Sequence, residues 1–202
     1  MWDQRYSAPG YLFGTEPAAF LVREAGRLPP GAQVLSVADG EGRNAVWLAR
    51  RGHAVTAFDA SGVAVAKARR LAGEAGATVA FHTADTDSWD WAPAAFDAVV
   101  AIFIQFAPPP MRARIFAGIA RTLRPGGLLL LHGYATRQVA NGTGGPRAVE
   151  NLYTLDLLAE AFAGFEVLHA ADYDAEIREG SGHVGASALI DFVARKPARK
   201  PG

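Results

Sequence analysis

The chain of 202 residues contains no cysteine. That absence excludes disulfide frameworks, thiolate-bound zinc and a cysteine nucleophile together. Net charge is absent too, with 20 Lys and Arg against 20 Asp and Glu. A broad electrostatic hold on nucleic acid or an anionic membrane is therefore not expected. Long hydrophobic runs are missing: Ala98 to Ile104 and Leu128 to Leu131 fall far short of the ~20 residues of a membrane helix. They read as strands buried on both faces. The opening Met1-Trp2-Asp3-Gln4-Arg5-Tyr6 lacks the basic-then-apolar order of a secretory signal. These absences lead us to expect a cytoplasmic protein that binds neither nucleic acid nor membrane. Gly-x-Ser-x-Gly, Gly-x-x-x-x-Gly-Lys-Ser/Thr and His-Glu-x-x-His are missing as well, which removes the hydrolase elbow, the phosphate loop and the zinc-protease helix.

What is present is an ordinary globular composition, half hydrophobic, with 22 Gly and 12 Pro. Its length suits one domain, expected over residues 1–196, with 197–202 as a flexible tail. Short apolar runs alternate with helix-period segments, the pattern of a parallel α/β sheet. Strands are expected at Val34–Ala38, Ala54–Phe58, Thr78–His82, Phe96–Phe103 and Leu128–His132. Helices are expected over Arg43–Arg51, over Val63–Glu74 after a Ser61 cap, after Pro108-Pro109-Pro110, and over Thr154–Phe162. Gly133 to Asn151 is polar and Gly-rich, too long for an ordinary connection. Phe165–Ala170 and Ala186–Ala194 read as a closing antiparallel pair, separated by an acidic, Gly-rich loop.

In such sheets a ligand sits beyond the carboxyl ends of the strands. The first strand exits through Ala38-Asp39-Gly40-Glu41-Gly42-Arg43-Asn44. Gly40 and Gly42 let the backbone turn sharply and approach a bulky group. The next helix N-terminus offers free amides. Asp59, at the end of the second strand, can accept from both hydroxyls of a ribose. Together they indicate a nucleoside-containing cofactor. Gly40-x-Gly42-x-x-Ala45 with Asp59 also fits the dinucleotide fingerprint. An NAD-dependent oxidoreductase is therefore the alternative at this point.

Read one turn earlier, Ala38-x-Gly40-x-Gly42 resembles motif I of class I S-adenosylmethionine-dependent methyltransferases. The resemblance continues through Asp85, Phe96-Asp97-Ala98-Val99-Val100 and Leu123-Arg124-Pro125-Gly126-Gly127. Trp2 to Tyr6, Tyr11 to Pro17, Thr143 to Pro146 and Glu179 to His183 are similar to a small bacterial subgroup. That subgroup is related to the tellurite-resistance and thiopurine methyltransferases. The resemblance implies a Rossmann-like fold: a seven-stranded, mostly parallel sheet with an antiparallel C-terminal edge strand and helices on both faces. It implies S-adenosylmethionine as cofactor, S-adenosylhomocysteine as product, and no metal. The cofactor residues it implies are Ala38, Asp39, Gly40, Gly42, Asn44, Asp59, Ala60, Asp85, Thr86, Ile102 and Phe103. Residues 1–30 would form an N-terminal lid, with Trp2, Tyr11 and Phe13 over the cofactor or, alternatively, stapled to the core.

Two positions depart from motif I. Ser36 replaces an acidic residue, and Ala38 replaces the first glycine, a change a negative φ would accommodate. A non-catalytic binding relative therefore also stays open. The methyl donor is already activated, so in-line displacement needs alignment more than acid–base work. A thiol, a chalcogen or another small nucleophile would serve as acceptor. His183, whose ordinary pKa of ~6.5 suits proton transfer, and Gln105 are the candidate assistants. Arg43, Arg137 and Arg147 are candidates for a donor carboxylate, while His53, His82, His132 and His169 read as structural. The Asn/Asp-Pro-Pro-aromatic signature of amino-methylating nucleic-acid enzymes is missing. A small-molecule substrate and a monomer or weak homodimer are expected.

Overall fold

A computed structural model describes residues 2–198; Met1 and Arg199 to Gly202, which include most of the expected tail, lie outside the described residues. The chain order begins α1 (Trp2–Tyr6), α2 (Ala19–Glu24), β1 (Gln33–Val37), α3 (Arg43–Arg50) and β2 (Ala54–Asp59). It continues α4 (Gly62–Glu74), β3 (Val79–Thr83), β4 (Phe96–Ile102), α5 (Pro109–Thr122) and β5 (Leu123–Tyr134). It ends α6 (Gln138–Asn141), α7 (Leu155–Ala161), β6 (Glu166–Glu179) and β7 (His183–Arg195). Among the described residues seven strands form one sheet, ordered β3-β2-β1-β4-β5-β7-β6. The first five are mutually parallel, and β7 runs antiparallel to both β5 and β6. The C-terminal strand therefore sits one place in from the edge, between β5 and β6.

The continuous apolar runs follow from burial on both faces. In β1, β4 and β5, Val34, Val100 and Leu130 join a cluster with Phe20, Leu48 and Val65 from α2, α3 and α4. Their neighbours Leu35, Val99 and Leu129 point the other way, into a cluster with Ile115, Ile119 and Leu158 from α5 and α7. Successive strand residues alternate faces, so a strand sandwiched between helices needs apolar side chains at every position. Ser61 caps α4 as expected, its Oγ accepting from the Ala64 amide at 3.1 Å. Val99 to Ile102 pair with Leu129 to His132, which carries β4 out to the same end as β1 and β2.

Three expectations change. The segment Leu123 to Gly127, which precedes the strand expected from Leu128, is the first part of β5. Its Gly126 amide donates to the Lys196 carbonyl, and the Lys196 amide donates to that of Gly127. The polar stretch from Gly133 contributes its first two residues to β5 and then forms α6. Most of the acidic, Gly-rich loop is strand: β6 and β7 pair from Glu166↔Arg195 to Glu179↔His183, with one register shift between Val167 and His169. Along β6, Asp172, Asp174, Glu176 and Arg178 are exposed while Tyr173, Ala175, Ile177 and Glu179 turn inward. That is strand alternation, with charge on the solvent face.

Gly118 in α5 lies under Trp91, where a Cβ would fall 2.5 Å from the indole. Alanine is ordinarily worth ~1 kcal/mol over glycine inside a helix. Here the clash costs about 1–3 kcal/mol, so Gly118→Ala is expected to lose stability in urea unfolding. A stabilised variant would show that Trp91 does not hold this position.

Candidate functional site

A cavity of about 510 Å3 opens at the carboxyl ends of β1, β2 and β4, within the ~300–1,000 Å3 of small-molecule sites. Its floor is the turn after β1. Ala38 stands there at φ +48°, followed by Gly40 at +63° and Gly42 at +92°. The negative φ that would have accommodated Ala38 is not adopted. The first glycine of the motif would suit this left-handed conformation, and alanine accepts the strain of ~1–2 kcal/mol instead. Gly40 lines the cavity, and a Cβ there would meet the Tyr6 hydroxyl at 2.9 Å. Gly42 is not a lining residue. A Cβ on it would fall 2.7 Å from that of Ala68, so its role is close packing of the turn on α4.

Asp59 terminates β2 and is buried. Its Oδ2 accepts from the Gly40 amide at 2.9 Å and its Oδ1 from the Ser61 amide at 2.8 Å. Burial raises its pKa against these two amides, yet each carboxylate oxygen has a further lone pair. Asp39 is more deeply enclosed. Ser36 Oγ donates to its Oδ1 at 2.6 Å, whereas Oδ2 is buried with no partner among the described residues. Burial pushes this carboxyl from 3.8 to about 7, with the Ser36 bond opposing. The acid missing at Ser36 is thus supplied three residues later, and Ser36 holds it. Thr86 is also buried, its Oγ1 likewise unpartnered among the described residues. Asp85 lines the same side, its Oδ1 taking the amides of Asp87 and Ser88. These two bonds, Ser88 first, lower its pKa.

The N-terminal segment covers this floor. Lys67 Nζ donates to the carbonyls of Ala8 and Gly10 and to Glu41 Oε1, at 2.7–2.9 Å. Glu41 Oε2 accepts from the Leu12 amide at 2.7 Å, and Asp3 accepts from Ser61 Oγ. Trp2, Tyr6 and Phe13 reach the cavity. Tyr11 does not; it packs on the core cluster with Arg70 over its ring, so for Tyr11 the staple reading replaces the lid reading. Asn44 does line the cavity, with its Oδ1 accepting from the Ala18 amide at 2.9 Å. Ala60, Ile102 and Phe103 line it as well, Phe103 at φ +55°. Trp89 and Trp91 lie outside it, stacked on or edge-on to Phe58 in the core.

The far wall comes from the β6–β7 hairpin. Leu12 O accepts from the amides of Ser181 and Gly182, which brings His183 to the cavity between Phe13 (4.4 Å between ring centres) and Phe103 (4.3 Å). Arg43 Nη2 donates to Glu179 Oε2 at 2.6 Å with both side chains nearly buried. His183 Nδ1 lies 3.7 Å from the same oxygen. Burial pushes Glu179 up, but His183 and Arg43 together outweigh it and hold the carboxyl at about 2. Burial pushes His183 down despite Glu179, leaving a neutral imidazole at neutral pH. Arg43 is thereby committed to Glu179, and Arg137 to Asp172 and Asp174 on the surface. Gln105 lines the cavity and also serves the backbone. Its Nε2 donates to the Tyr134 carbonyl and its Oε1 accepts from the Tyr134 amide. Both ends of the amide complete the backbone of β5, which leaves one N–H and one lone pair of this cavity-lining residue for any further partner.

The sequence signals did not reveal Glu41, Lys67 or Tyr134, and marked Glu179 only as the first residue of a motif without a role. Glu41 stands between two glycines as an unremarked loop residue, and its partners are 26 and 29 positions away. Tyr134 faces the cavity with its buried hydroxyl unpartnered among the described residues. No group of three or more metal-ligating side chains occurs among the described residues, and no helix there is long and apolar enough to cross a membrane.

Asp39 yields a pH test. Between 3.8 and about 7 the folded protein keeps a proton that the unfolded chain releases. Its contribution is full below that window and declines as pH rises through it. In the ligand-free protein, Asp39→Asn should be more stable than wild type at pH 8, by roughly 2–4 kcal/mol. That advantage should shrink as pH falls towards 4 in urea titrations. A difference that did not change with pH would remove the buried charge from this account.

Comparison with known proteins agrees with this arrangement. The methyltransferase domain family matches residues 34–127, just under half of the chain. No curated protein matches by sequence. Among solved structures, the (4+2)-cyclase SpnF is 27% identical, covering 88% of this chain and 79% of its own at a TM-score of 0.70. A structure reported for conversion of a disulfide bond into a thioacetal group during echinomycin biosynthesis is 20% identical. It covers 95% and 86% of the two chains at a TM-score of 0.76. TehB from Haemophilus influenzae is 17% identical, with 96% of this chain and 65% of TehB covered at a TM-score of 0.71. By architecture the chain has the Rossmann-like fold of class I methyltransferases, and its methyltransferase-domain match runs from β1 into β5 across the strands that end at the cavity.

Proposed function

We propose that this protein transfers a methyl group from S-adenosylmethionine to a small nucleophile. The carrying observation is the cavity at the sheet's carboxyl end, where Gly40 leaves room for a ligand and Asp39, Asp59 and Thr86 present unfilled polar capacity inside the domain-matched region. The group fits these residues. Asp59 suits ribose hydroxyls, Asp39 Oδ2 suits an ammonium, and Thr86 with Asp85 suits donors on an adenine ring. Bound there, the cofactor supplies a methyl group on a sulfonium, already activated towards nucleophiles.

The chain's own task is positioning. Ile102, Phe103, Phe106 and Met111 form an apolar wall beside the floor, and Phe13 with the N-terminal segment excludes water from above. Holding two reactants in line can contribute ~7–11 kcal/mol. The enclosed volume favours a small acceptor, and the zero net charge argues against nucleic-acid and membrane partners. We extend the reading to a cytoplasmic monomer or weak homodimer. We also assign the chain to the subgroup related to the tellurite-resistance and thiopurine methyltransferases, supported by the Trp2 to Phe13 segment lying over the cavity. An NAD-dependent oxidoreductase finds less support, because Gly42 packs on α4 rather than opening towards the cavity. A second reading, binding without methyl transfer, is favoured by the strained Ala38 and by the likeness to a cyclase.

Calorimetry with S-adenosylhomocysteine and with NADH separates the two cofactors, and selective NADH binding would sink the methyltransferase assignment. Release of S-adenosylhomocysteine across thiols, selenite, tellurite and phenols separates transfer from binding alone. Asp59→Ala is expected to weaken S-adenosylhomocysteine binding by ~1–3 kcal/mol, since it removes a charged acceptor. Unchanged affinity in a folded variant would refute the role given to Asp59.

A further inference from the structure

The hairpin end of the cavity is built differently from the floor. The floor carries carboxylates on short parallel strands. The hairpin end carries an imidazole, a tyrosine hydroxyl and three rings. His183 is buried, and its Nδ1 has no hydrogen-bond partner among the described residues. Because Nδ1 turns towards Glu179 at 3.7 Å, Nε2 is the nitrogen left to the cavity. Packing alone does not account for this arrangement. A histidine that only filled space would gain nothing from a buried carboxylate at that distance, and an apolar residue would avoid the desolvation.

We propose that His183 is the general base for a weakly acidic hydroxyl on a flat, apolar acceptor of the phenol or enol class, with Glu179 as its positioning residue. The inference rests on the methyltransferase reading and narrows its acceptor. Two observations and one chemical requirement carry it. The rings packed against His183 are Phe13, Phe103 and Tyr134, and Phe106, Met111 and Pro146 add apolar surface to the same cavity. Such walls stack a flat ring at centroid distances of ~4.5–7 Å. Tyr134 is 1% exposed and its hydroxyl has no partner among the described residues, so it can donate to an acceptor oxygen. A hydroxyl, unlike a thiolate or a chalcogen anion, must lose its proton to become a competent nucleophile, which gives a neutral imidazole something to do.

The charged and titratable groups facing His183 are Glu179 from β6, Arg43 from α3, and Tyr134 and His132 from β5. Burial and the Arg43 charge favour the neutral ring, and Glu179 opposes them. Glu179 therefore stabilises the imidazolium at the moment it forms, while its bond to Arg43 stops it from taking the proton itself. In the step, the acceptor O–H bond breaks, the proton passes to Nε2 and the electron pair stays on oxygen. That oxygen then bonds to the methyl carbon as the carbon–sulfur bond breaks, with its electrons going to sulfur. The imidazolium returns the proton to water.

The test uses 4-nitrophenol, whose phenolate absorbs in the visible, and needs no turnover. Bound to the wild-type protein, the probe should ionise about tenfold more readily than in water, as an imidazolium partner favours the anion. His183→Gln and His183→Asn should each abolish this shift, and Glu179→Gln should reduce it. Circular dichroism confirms that the variants fold, and having two substitutions at His183 guards against one local collapse. A wild-type-sized shift in both His183 variants, no shift in wild type, or no binding of the probe would each overturn the proposal. S-adenosylhomocysteine binding to wild type, measured alongside, keeps the two readings apart. If it binds while the probe's ionisation stays unmoved, the phenol inference falls and the methyltransferase reading survives; if neither ligand binds, both fall.

Discussion

The ion pair between Arg43 and Glu179 joins the first helix after the glycine turn to the far end of the hairpin. Its partners are 136 positions apart and only 2.6 Å from each other. Two charges withdrawn from water cost several kcal/mol each, recovered only by close, well-bonded geometry. Removing either partner would leave a buried charge alone and cost about 3–5 kcal/mol. The pair therefore dictates where β6 must end, and the register Glu179↔His183 then sets His183 at the cavity. Arg43 also donates to the Glu16 carbonyl, so the same guanidinium fixes the exit of the N-terminal segment. Floor, cover and far wall meet on one side chain.

At the floor the electrostatic problem is opposite in kind. Asp39 and Asp59 are both buried; enclosure raises the pKa of each, and the charge of Asp59 raises that of Asp39 further. Neither has a cationic side chain bonded to it among the described residues; they are held by backbone amides and a serine hydroxyl. Stability is given up there in exchange for acceptors that a ligand can use. The Glu41–Lys67 pair and its bonds to Ala8, Gly10 and Leu12 offset part of that cost by ordering the cover.

Local chemistry made much of this legible in the sequence. Runs such as Val34 to Val37 and Leu128 to Leu131 read as doubly buried strands because helices cover both faces. Ser61 punctuated its helix through a side-chain preference that needs no tertiary context. Asp59 and Gly40 were recognisable because spacing along strand, turn and helix fixes their meeting at 2.9 Å. What escaped was long-range or ambiguous in period. The stretch Asp172 to Glu179 alternates as a strand should, but its charges and the glycines after it looked like a loop. Only pairing with β7 settles it. Gly42 was assigned to ligand approach because a glycine in a turn does not reveal what lies above it. Ala38 hides its left-handed backbone entirely, and Gln105 gives no hint that it repairs the backbone at Tyr134.

The two halves of the cavity are therefore held by different means, and the difference bears on the proposed chemistry. Residues of the floor follow directly from parallel strands whose registers leave no slack, since a one-residue slip would reverse every buried face. A donor gripped there would meet nearly fixed geometry. His183 instead depends on a long two-stranded arm whose outer strand has only one neighbour. It holds its place through Arg43, through the Leu12 carbonyl and through ring contacts with Phe13 and Phe103. Each of these attachments belongs to the floor or the cover. The acceptor end is thus assembled only when the N-terminal segment is seated, and exclusion of water and alignment of the base arise from the same contacts.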